Sequence, residues 1–207
     1  MAGGLMGYND QRRPSVKAIA EENEHMRRRQ EQFRIAAQYV AHAFSQVPQV
    51  QKVVLFGSVA VPLFEEVPRF RRYRIHQVPL LHECADVDIA VWLSDASCLK
   101  NLQRARGLAL NYLFDARDIG VAHHQVDTFL MDHTTDSYIG NLCYFGTCPK
   151  GKEDCRVTGC GETPFLKAYE KFRLREEALS PDKTIILYDR AGASEQQGVS
   201  EPSADNS

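Results

Sequence analysis

The sequence predicts an α+β fold, and three observations lead to this prediction. A helical stripe of apolar residues lies near the N-terminus, short β-branched apolar runs follow it, and a second helical stretch separates two of these runs. The chain has 207 residues and a hydrophobic share of 43%. It is therefore long enough for one ordinary domain with an appendage, and apolar enough to build a core.

The predicted first helix runs from residue 15 to about residue 47, where Pro48 ends it. Its second half carries an apolar stripe that predicts packing against a core: Phe33, Ala36, Ala37, Val40, Phe44 and Val47. Its first half is charged, with Glu24 placed to meet Arg28 one turn later. We expect this first half to project as a solvated arm.

Short apolar runs predict the strands. The run 52–56 ends at Gly57 and reads as a buried strand, and further strands are predicted at 87–93, 125–131 and 184–188. A helix is expected over about 96–115, between the second and third strands. A closing amphipathic helix is expected from its apolar positions: Phe165, Ala168, Tyr169 and Phe172.

Composition divides the chain into four predicted segments. Residues 1–14 form a flexible N-terminus, 15–135 a core with the N-terminal helix, 136–190 a cysteine-rich knuckle with a helix and a strand, and 191–207 a disordered tail. The N-terminus lacks the apolar segment of a secretory signal, and no apolar run approaches the roughly 18 residues that cross a bilayer. We expect a cytoplasmic protein with no membrane partner, whose cysteines are reduced.

A carboxylate pattern is the main functional signal. Asp86 and Asp88 alternate with apolar residues in a predicted strand, so the two carboxylates share one face of it. Asp127 lies in the next predicted strand, and Gly57 with Ser58 follows the first one. Carboxylates on neighbouring strands suit Mg²⁺, and a Gly-Ser turn lets backbone amides approach phosphates.

The order of these motifs resembles the nucleotidyltransferase superfamily, which includes polymerase-β-like and minimal bacterial nucleotidyltransferases. The resemblance covers about residues 37–130. It implies a small mixed sheet flanked by helices, and Mg²⁺ or Mn²⁺ bound by Asp86, Asp88 and Asp127. It further implies that Asp127 is the general base and that Gly57 and Ser58 hold the triphosphate of an NTP, with ATP the first choice.

One departure from the family pattern is an insert of 27 residues between Ser58 and Asp86. It carries the sequence Arg-Phe-Arg-Arg-Tyr-Arg at 69–74, in which arginines alternate with aromatic residues. Arginine suits phosphate, and aromatic rings stack on bases. Arg71 and Arg72 are therefore predicted to bind nucleotide or an acceptor RNA. A solvated basic hairpin paired with Glu65 and Glu66 is the alternative.

A cysteine cluster is the second signal. Four cysteines lie within 18 residues: Cys143, Cys148, Cys155 and Cys160. Interspersed glycines permit tight turns, and four thiolates suit a structural, tetrahedral Zn²⁺. An iron–sulfur cluster and unligated thiols are alternatives, because the spacing differs from the common zinc-ribbon form. Cys84 and Cys98 lie outside the cluster and are predicted to be ordinary core residues.

The resemblance implies an enzyme that transfers a nucleoside monophosphate from an NTP to an acceptor and releases pyrophosphate. The acceptor is left open between a small molecule, a protein and an RNA. The alternative is a non-catalytic nucleotide-binding or antitoxin-like regulatory module that acts through a protein or RNA partner. An α/β domain with acidic strand ends and no catalysis is the bland interpretation of the same residues.

Overall fold

The computed structural model describes residues 12–145, 163–167 and 172–192. The three α-helices in these ranges are α1 (Val16–Ser45), α2 (Arg71–Ile75) and α3 (Leu99–Arg117). The strands are β1 (Val50–Phe56), β2 (Glu65–Glu66), β3 (Leu80–Leu81), β4 (Val87–Leu93), β5 (Val126–Asp132), β6 (Tyr138–Leu142), β7 (Leu166–Lys167) and β8 (Ile185–Asp189).

Six of the strands form one mixed sheet in the order β7-β6-β5-β4-β1-β8. β4 and β5 are parallel, and the other neighbours are antiparallel. The predicted α+β class, with a mixed sheet flanked by helices, is therefore confirmed. β6, β7 and β8 come from the predicted 136–190 segment, so this segment contributes three strands to the sheet of the core.

The main core lies between this sheet and the helices α1 and α3. The apolar stripe predicted in the second half of α1 is buried there, with Ala36, Val40 and Phe44 fully inaccessible to solvent. Ser15 begins the helix, since its hydroxyl oxygen accepts a hydrogen bond from the Ala18 amide at 3.2 Å. Cys84 and Cys98 are buried in this core as predicted.

The first half of α1 packs against the insert, so the predicted solvated arm is wrong. Asn23 accepts a hydrogen bond from the Leu81 amide at 2.8 Å, and Ile19 packs on the small apolar cluster of Tyr73, Val78 and Leu80. Glu24 pairs with Arg27 at 3.6 Å, three residues along, whereas Arg28 was the predicted partner.

The insert itself is ordered into a two-stranded hairpin. β2 and β3 pair antiparallel, and α2 lies in the loop between them. Glu66 binds His82 Nδ1 at 2.8 Å, and His82 stacks on Phe64. Of the two glutamates expected to pair with the arginines, Glu66 thus pairs with a histidine.

The C-terminal part departs from the sequence prediction. Leu166 and Lys167 form β7, paired with Leu142 and Asn141 of β6, in place of the start of a closing helix. Residues 168–171 lie outside the described ranges. β8 confirms the predicted last strand and pairs with β1. In the parts of the chain that the structure describes, no helix has the length and apolar character needed to cross a membrane.

Truncating Phe44 tests this core. Phe44→Ala should lower the free energy of unfolding by about 3–5 kcal/mol, because a fully buried aromatic ring leaves a cavity. Denaturant titration measures this change. His42→Ala, at an exposed position of the same helix, is the control and should change stability by less than about 0.5 kcal/mol. Equal losses in the two variants would contradict the packing described here.

Candidate active site

Three strands bring the predicted site residues together. Phe56, the last residue of β1, pairs with Asp88 of β4, and Asp88 pairs with Asp127 of β5. Because paired residues on adjacent strands point to the same face, the Asp88 and Asp127 side chains are neighbours. The Gly57-Ser58 turn follows Phe56 directly. The Gly57-Ser58 turn therefore lies beside Asp88 and Asp127, at one end of the central strands β1, β4 and β5.

The aspartates project from the face of the sheet that lies opposite α1 and α3. Val87 and Ile89, which flank Asp88, are fully buried in the main core. Phe56, Ala90 and Phe129, which share the alternation of Asp88 and Asp127, belong to a second apolar cluster. Asp88 thus lies on the face opposite Val87 and Ile89, as predicted, whereas Asp86 precedes β4.

Gly57 makes room for the Asp88 carboxylate. Its φ is +74°, a left-handed conformation that favours glycine. A Cβ placed on Gly57 would lie 2.4 Å from Asp88 Oδ2, well inside van der Waals contact. The glycine is therefore required twice, by its backbone conformation and by the carboxylate beside it.

Polar side chains of α1 hold the loop that carries Ser58. Gln30 Nε2 donates to the Ser58 carbonyl at 3.1 Å and to the Val61 carbonyl at 2.8 Å. Arg34 Nε donates to the Val59 carbonyl at 2.8 Å. Sequence reasoning missed both residues. The sequence signal available for Gln30 was its position in line with the apolar stripe of α1. In the structure only 7% of this residue is exposed.

The carboxylates repel one another in a partly dry environment. Burial raises the pKa of Asp88 to about 7, and the charges of Asp86 and Asp127 add to this rise. Burial also raises the pKa of Asp127, with Asp86 contributing, while Arg106 and Lys167 act in the opposite direction. Within the described ranges none of the three carboxylates forms an ion pair.

Arg106 of α3 braces the strand that carries Asp127. It is fully buried, and its Nη1 lies 3.2 Å from the Val126 carbonyl and 3.4 Å from Thr128 Oγ1, the residues on either side of Asp127. Its Nη2 donates to the Cys143 carbonyl at 2.7 Å. Burial lowers its pKa to about 10, and among the described residues its Nε has no hydrogen-bond partner. Nothing in the sequence distinguishes Arg106 from Arg104 and Arg117 of the same helix, so this role could not be predicted.

A cleft of ≈ 630 Å³ opens beside Ser58 and Asp86. The insert forms most of its wall, including Arg69 and Phe70, and α1 contributes Met26. The cleft thus reaches the candidate site at Ser58 and Asp86, whereas Asp88 and Asp127 are not among the residues that line it. A cleft of this size accommodates a small molecule or a nucleotide unit.

The two arginines predicted to bind nucleotide do not line this cleft. Arg72 Nε donates to the Arg12 carbonyl at 3.2 Å and lies near Glu21 and Glu22 of α1. Arg71 begins α2 and is exposed. The arginine of the insert that reaches the cleft wall is Arg69.

The donor set suits a hard cation, although no preformed cage is present. Among the described residues, no three Asp, Glu, His or Cys side chains are arranged to hold a metal ion. Mg²⁺ ordinarily takes one or two protein carboxylates and completes its shell with phosphate oxygens and water. Asp86, Asp88 and Asp127 supply carboxylate oxygens without competing ion pairs, so they fit such a shared site in kind.

The predicted zinc site falls mostly outside the described residues. Cys148, Cys155 and Cys160 lie there, and zinc at this cluster stays a prediction. Cys143 is described and is buried; its amide donates to the Phe165 carbonyl at 2.8 Å, and its carbonyl accepts from Arg106. The cysteine segment is therefore joined to the core at its first cysteine.

Comparisons with models of known protein families, with curated proteins and with solved structures find no match. Function is therefore inferred from the residues and geometry of the chain itself.

The contact between Gly57 and Asp88 can be measured by a double-mutant cycle. Gly57→Ala should destabilise the protein by about 1 kcal/mol or more, since it adds a strained φ and a collision with Oδ2. In the Asp88→Ala background the cost should fall by on the order of 1 kcal/mol, because only the Asp88 Cβ, 3.5 Å away, remains. Denaturant titration of the four proteins gives the cycle. Additive effects would refute the contact.

The raised pKa of Asp88 predicts a pH-dependent stability. Its folded pKa of about 7 exceeds the ordinary 3.8, so the unfolded chain releases this proton first. Stability of the metal-free protein should therefore fall as pH rises from about 4 to 7. Asp88→Asn should weaken this dependence, to which Asp127 also contributes, and should raise the free energy of unfolding at pH 8 by on the order of 1–3 kcal/mol. Denaturant titrations with a chelator present, from pH 5 to 8, test the sign; lower stability of the variant would contradict it.

Proposed function

We propose that the chain is a metal-dependent nucleotidyltransferase that moves a nucleoside monophosphate from an NTP to an acceptor and releases pyrophosphate. The observation that carries the proposal is the pairing of Asp88 with Asp127 across parallel strands, beside a glycine whose missing Cβ leaves space for a carboxylate. The order of the motifs in the sequence supports the same reaction class: Gly-Ser comes first, then Asp-x-Asp, then a third aspartate.

Each group has a separate role in the proposal. Gly57 and Ser58 hold the triphosphate through a turn that Gln30 and Arg34 fix from α1. Asp86 and Asp88 would hold Mg²⁺ or Mn²⁺ together with the nucleotide phosphates. The bound ion supplies the positive charge that neutralises the triphosphate in the transition state. Arg106 keeps Asp127 in register with Asp88 by bonding to both neighbours of Asp127.

The transfer step balances with these groups. An acceptor oxygen forms a bond to the α-phosphorus while the bond from that phosphorus to the bridging oxygen breaks. Pyrophosphate leaves with the electron pair of the broken bond. The acceptor proton passes to Asp127, whose raised pKa makes it a better base than an exposed aspartate.

A pyrophosphate-release assay tests this proposal. The full chain is incubated with each of the four NTPs, with Mg²⁺ or Mn²⁺, and with cell extract as the source of acceptors. Release of pyrophosphate and transfer of an α-phosphate label are both measured. Asp88→Asn should lower the rate by about 10²-fold or more, because a carboxylate at the metal and phosphate site is lost.

Asp115→Asn is the matched control, since Asp115 is an exposed aspartate on α3. It should retain the activity of the unsubstituted protein. Nucleotide binding without any pyrophosphate release or label transfer would favour the regulatory module instead. Equal rates for Asp88→Asn and Asp115→Asn would place the chemistry elsewhere.

A further inference from the structure

An arginine surface surrounds α2 and continues onto the segment before α1. It consists of six residues: Arg12, Arg13, Arg69, Arg71, Arg72 and Arg74. Five of them are exposed, and Arg72 is half-buried. The hydrogen bond from Arg72 Nε to the Arg12 carbonyl, 3.2 Å long, joins the two parts, which lie 60 residues apart in sequence.

The positive charge of this surface is concentrated around α2, whereas Glu66, Glu83 and Asp86 line the cleft beside Arg69. The whole chain carries a formal charge of −2, so six arginines in one region are a local feature. Glu21 and Glu22 lie near Arg72, on the α1 side of α2. The ion pairs formed within the described ranges involve none of the six arginines. The surface therefore presents several guanidinium groups to an anionic partner.

The arginine surface runs directly into the cleft beside Ser58 and Asp86. Arg69 and Phe70 lie on the cleft wall, and α2 begins at the next residue. Phe70 is an aromatic residue that is 46% exposed. A single nucleotide in the cleft could meet Arg69 and Phe70, but it would not extend along α2 to Arg12. The continuity of cleft and surface thus fits a longer polyanion with one end in the cleft.

We propose that the arginine surface binds a single-stranded nucleic acid, whose terminal nucleotide enters the cleft as the acceptor of the transfer. The role of this nucleotide as acceptor rests on the proposed function, whereas the binding of the strand does not. Arginine forks match backbone phosphates, and an exposed aromatic ring at the cleft offers a stacking platform for an unpaired base. An acidic peptide would use the arginines but would leave Phe70 without a matching group.

Fluorescence anisotropy of the full chain, without NTP or metal, tests the proposal. The probes are a labelled single-stranded RNA of about 12 nucleotides, the DNA of the same sequence, and the duplex. Arg69→Ala/Arg71→Ala/Arg74→Ala should weaken single-strand binding at least about 10-fold and reduce the slope of log affinity against log salt by about 2. Phe70→Ala should weaken single-strand binding about 5-fold or more and leave duplex binding unchanged.

A charge-matched control separates the surface from general electrostatics. Lys100→Ala/Arg104→Ala/Arg117→Ala removes three exposed positive charges from α3 and should bind as the unsubstituted protein does. Circular dichroism and thermal melting establish that every variant is folded. The difference in affinity between the RNA and DNA probes shows whether the surface prefers ribose or deoxyribose.

Three results would overturn the proposal: no binding of either strand, equal losses in the two triple variants, or displacement of the RNA by polyglutamate as effectively as by unlabelled RNA. The last of these would assign the surface to acidic proteins. The two proposals can fail separately. If the chain releases no pyrophosphate but still binds the single strand through Arg69, the proposed function is wrong and the nucleic-acid surface is retained.

Discussion

The parallel register between β4 and β5 is the constraint on which the site depends. It pairs Asp88 with Asp127 and, two residues further, Ala90 with Phe129. Because side chains alternate along a strand, a slip of one residue would turn Asp127 into the main core and expose Thr128, which is now fully buried. Val87, Ile89 and Leu130 are held in the core by this same register, so hydrophobic burial determines where the carboxylates lie.

The carboxylates occupy this position at a cost to the folded state. Asp88 lies in a partly dry environment, next to two like charges and without an ion pair in the described parts of the chain. A sequence selected for stability alone would place a neutral residue here. Arg106 adds a second unfavourable term, since it buries a guanidinium whose Nε–H has no partner among the described residues. Such local conflicts concentrate where a site must bind charge.

Much of this arrangement could be predicted from local sequence patterns. The alternation around Asp88 and the turn at Gly57 involve residues close in sequence, so periodicity and residue type were sufficient. β6 and β7 could not be predicted in the same way. β7 is two residues long and exists because it pairs with β6, more than 20 residues earlier. Cross-strand pairing of this kind leaves little trace in a short window.

The site residues that the sequence did not reveal act through long-range hydrogen bonds. Gln30 reaches Ser58 across 28 positions, and Arg106 reaches Cys143 across 37. The first half of α1 was misinterpreted for a related reason. Its inner face is Ile19, Asn23, Met26 and Gln30 at helical spacing, and two of these four residues are polar. The side-chain amides of Asn23 and Gln30 form hydrogen bonds with backbone groups of the insert and the Gly-Ser loop. Because these two residues are polar, a search for apolar residues at helical spacing does not find this buried face.

The length of α1 has a mechanical consequence. At 30 residues the helix spans about 45 Å, and one continuous rod serves both the main core and the cleft wall. Phe44 anchors its second half in the core, while Asn23 holds the insert and Met26 lines the cleft. The insert cannot swing away from Ser58 without bending this rod or breaking its contacts with Asn23 and Ile19. The width of the cleft is therefore set by a helix that packs in the core, and any molecule that enters the cleft meets walls that are already formed.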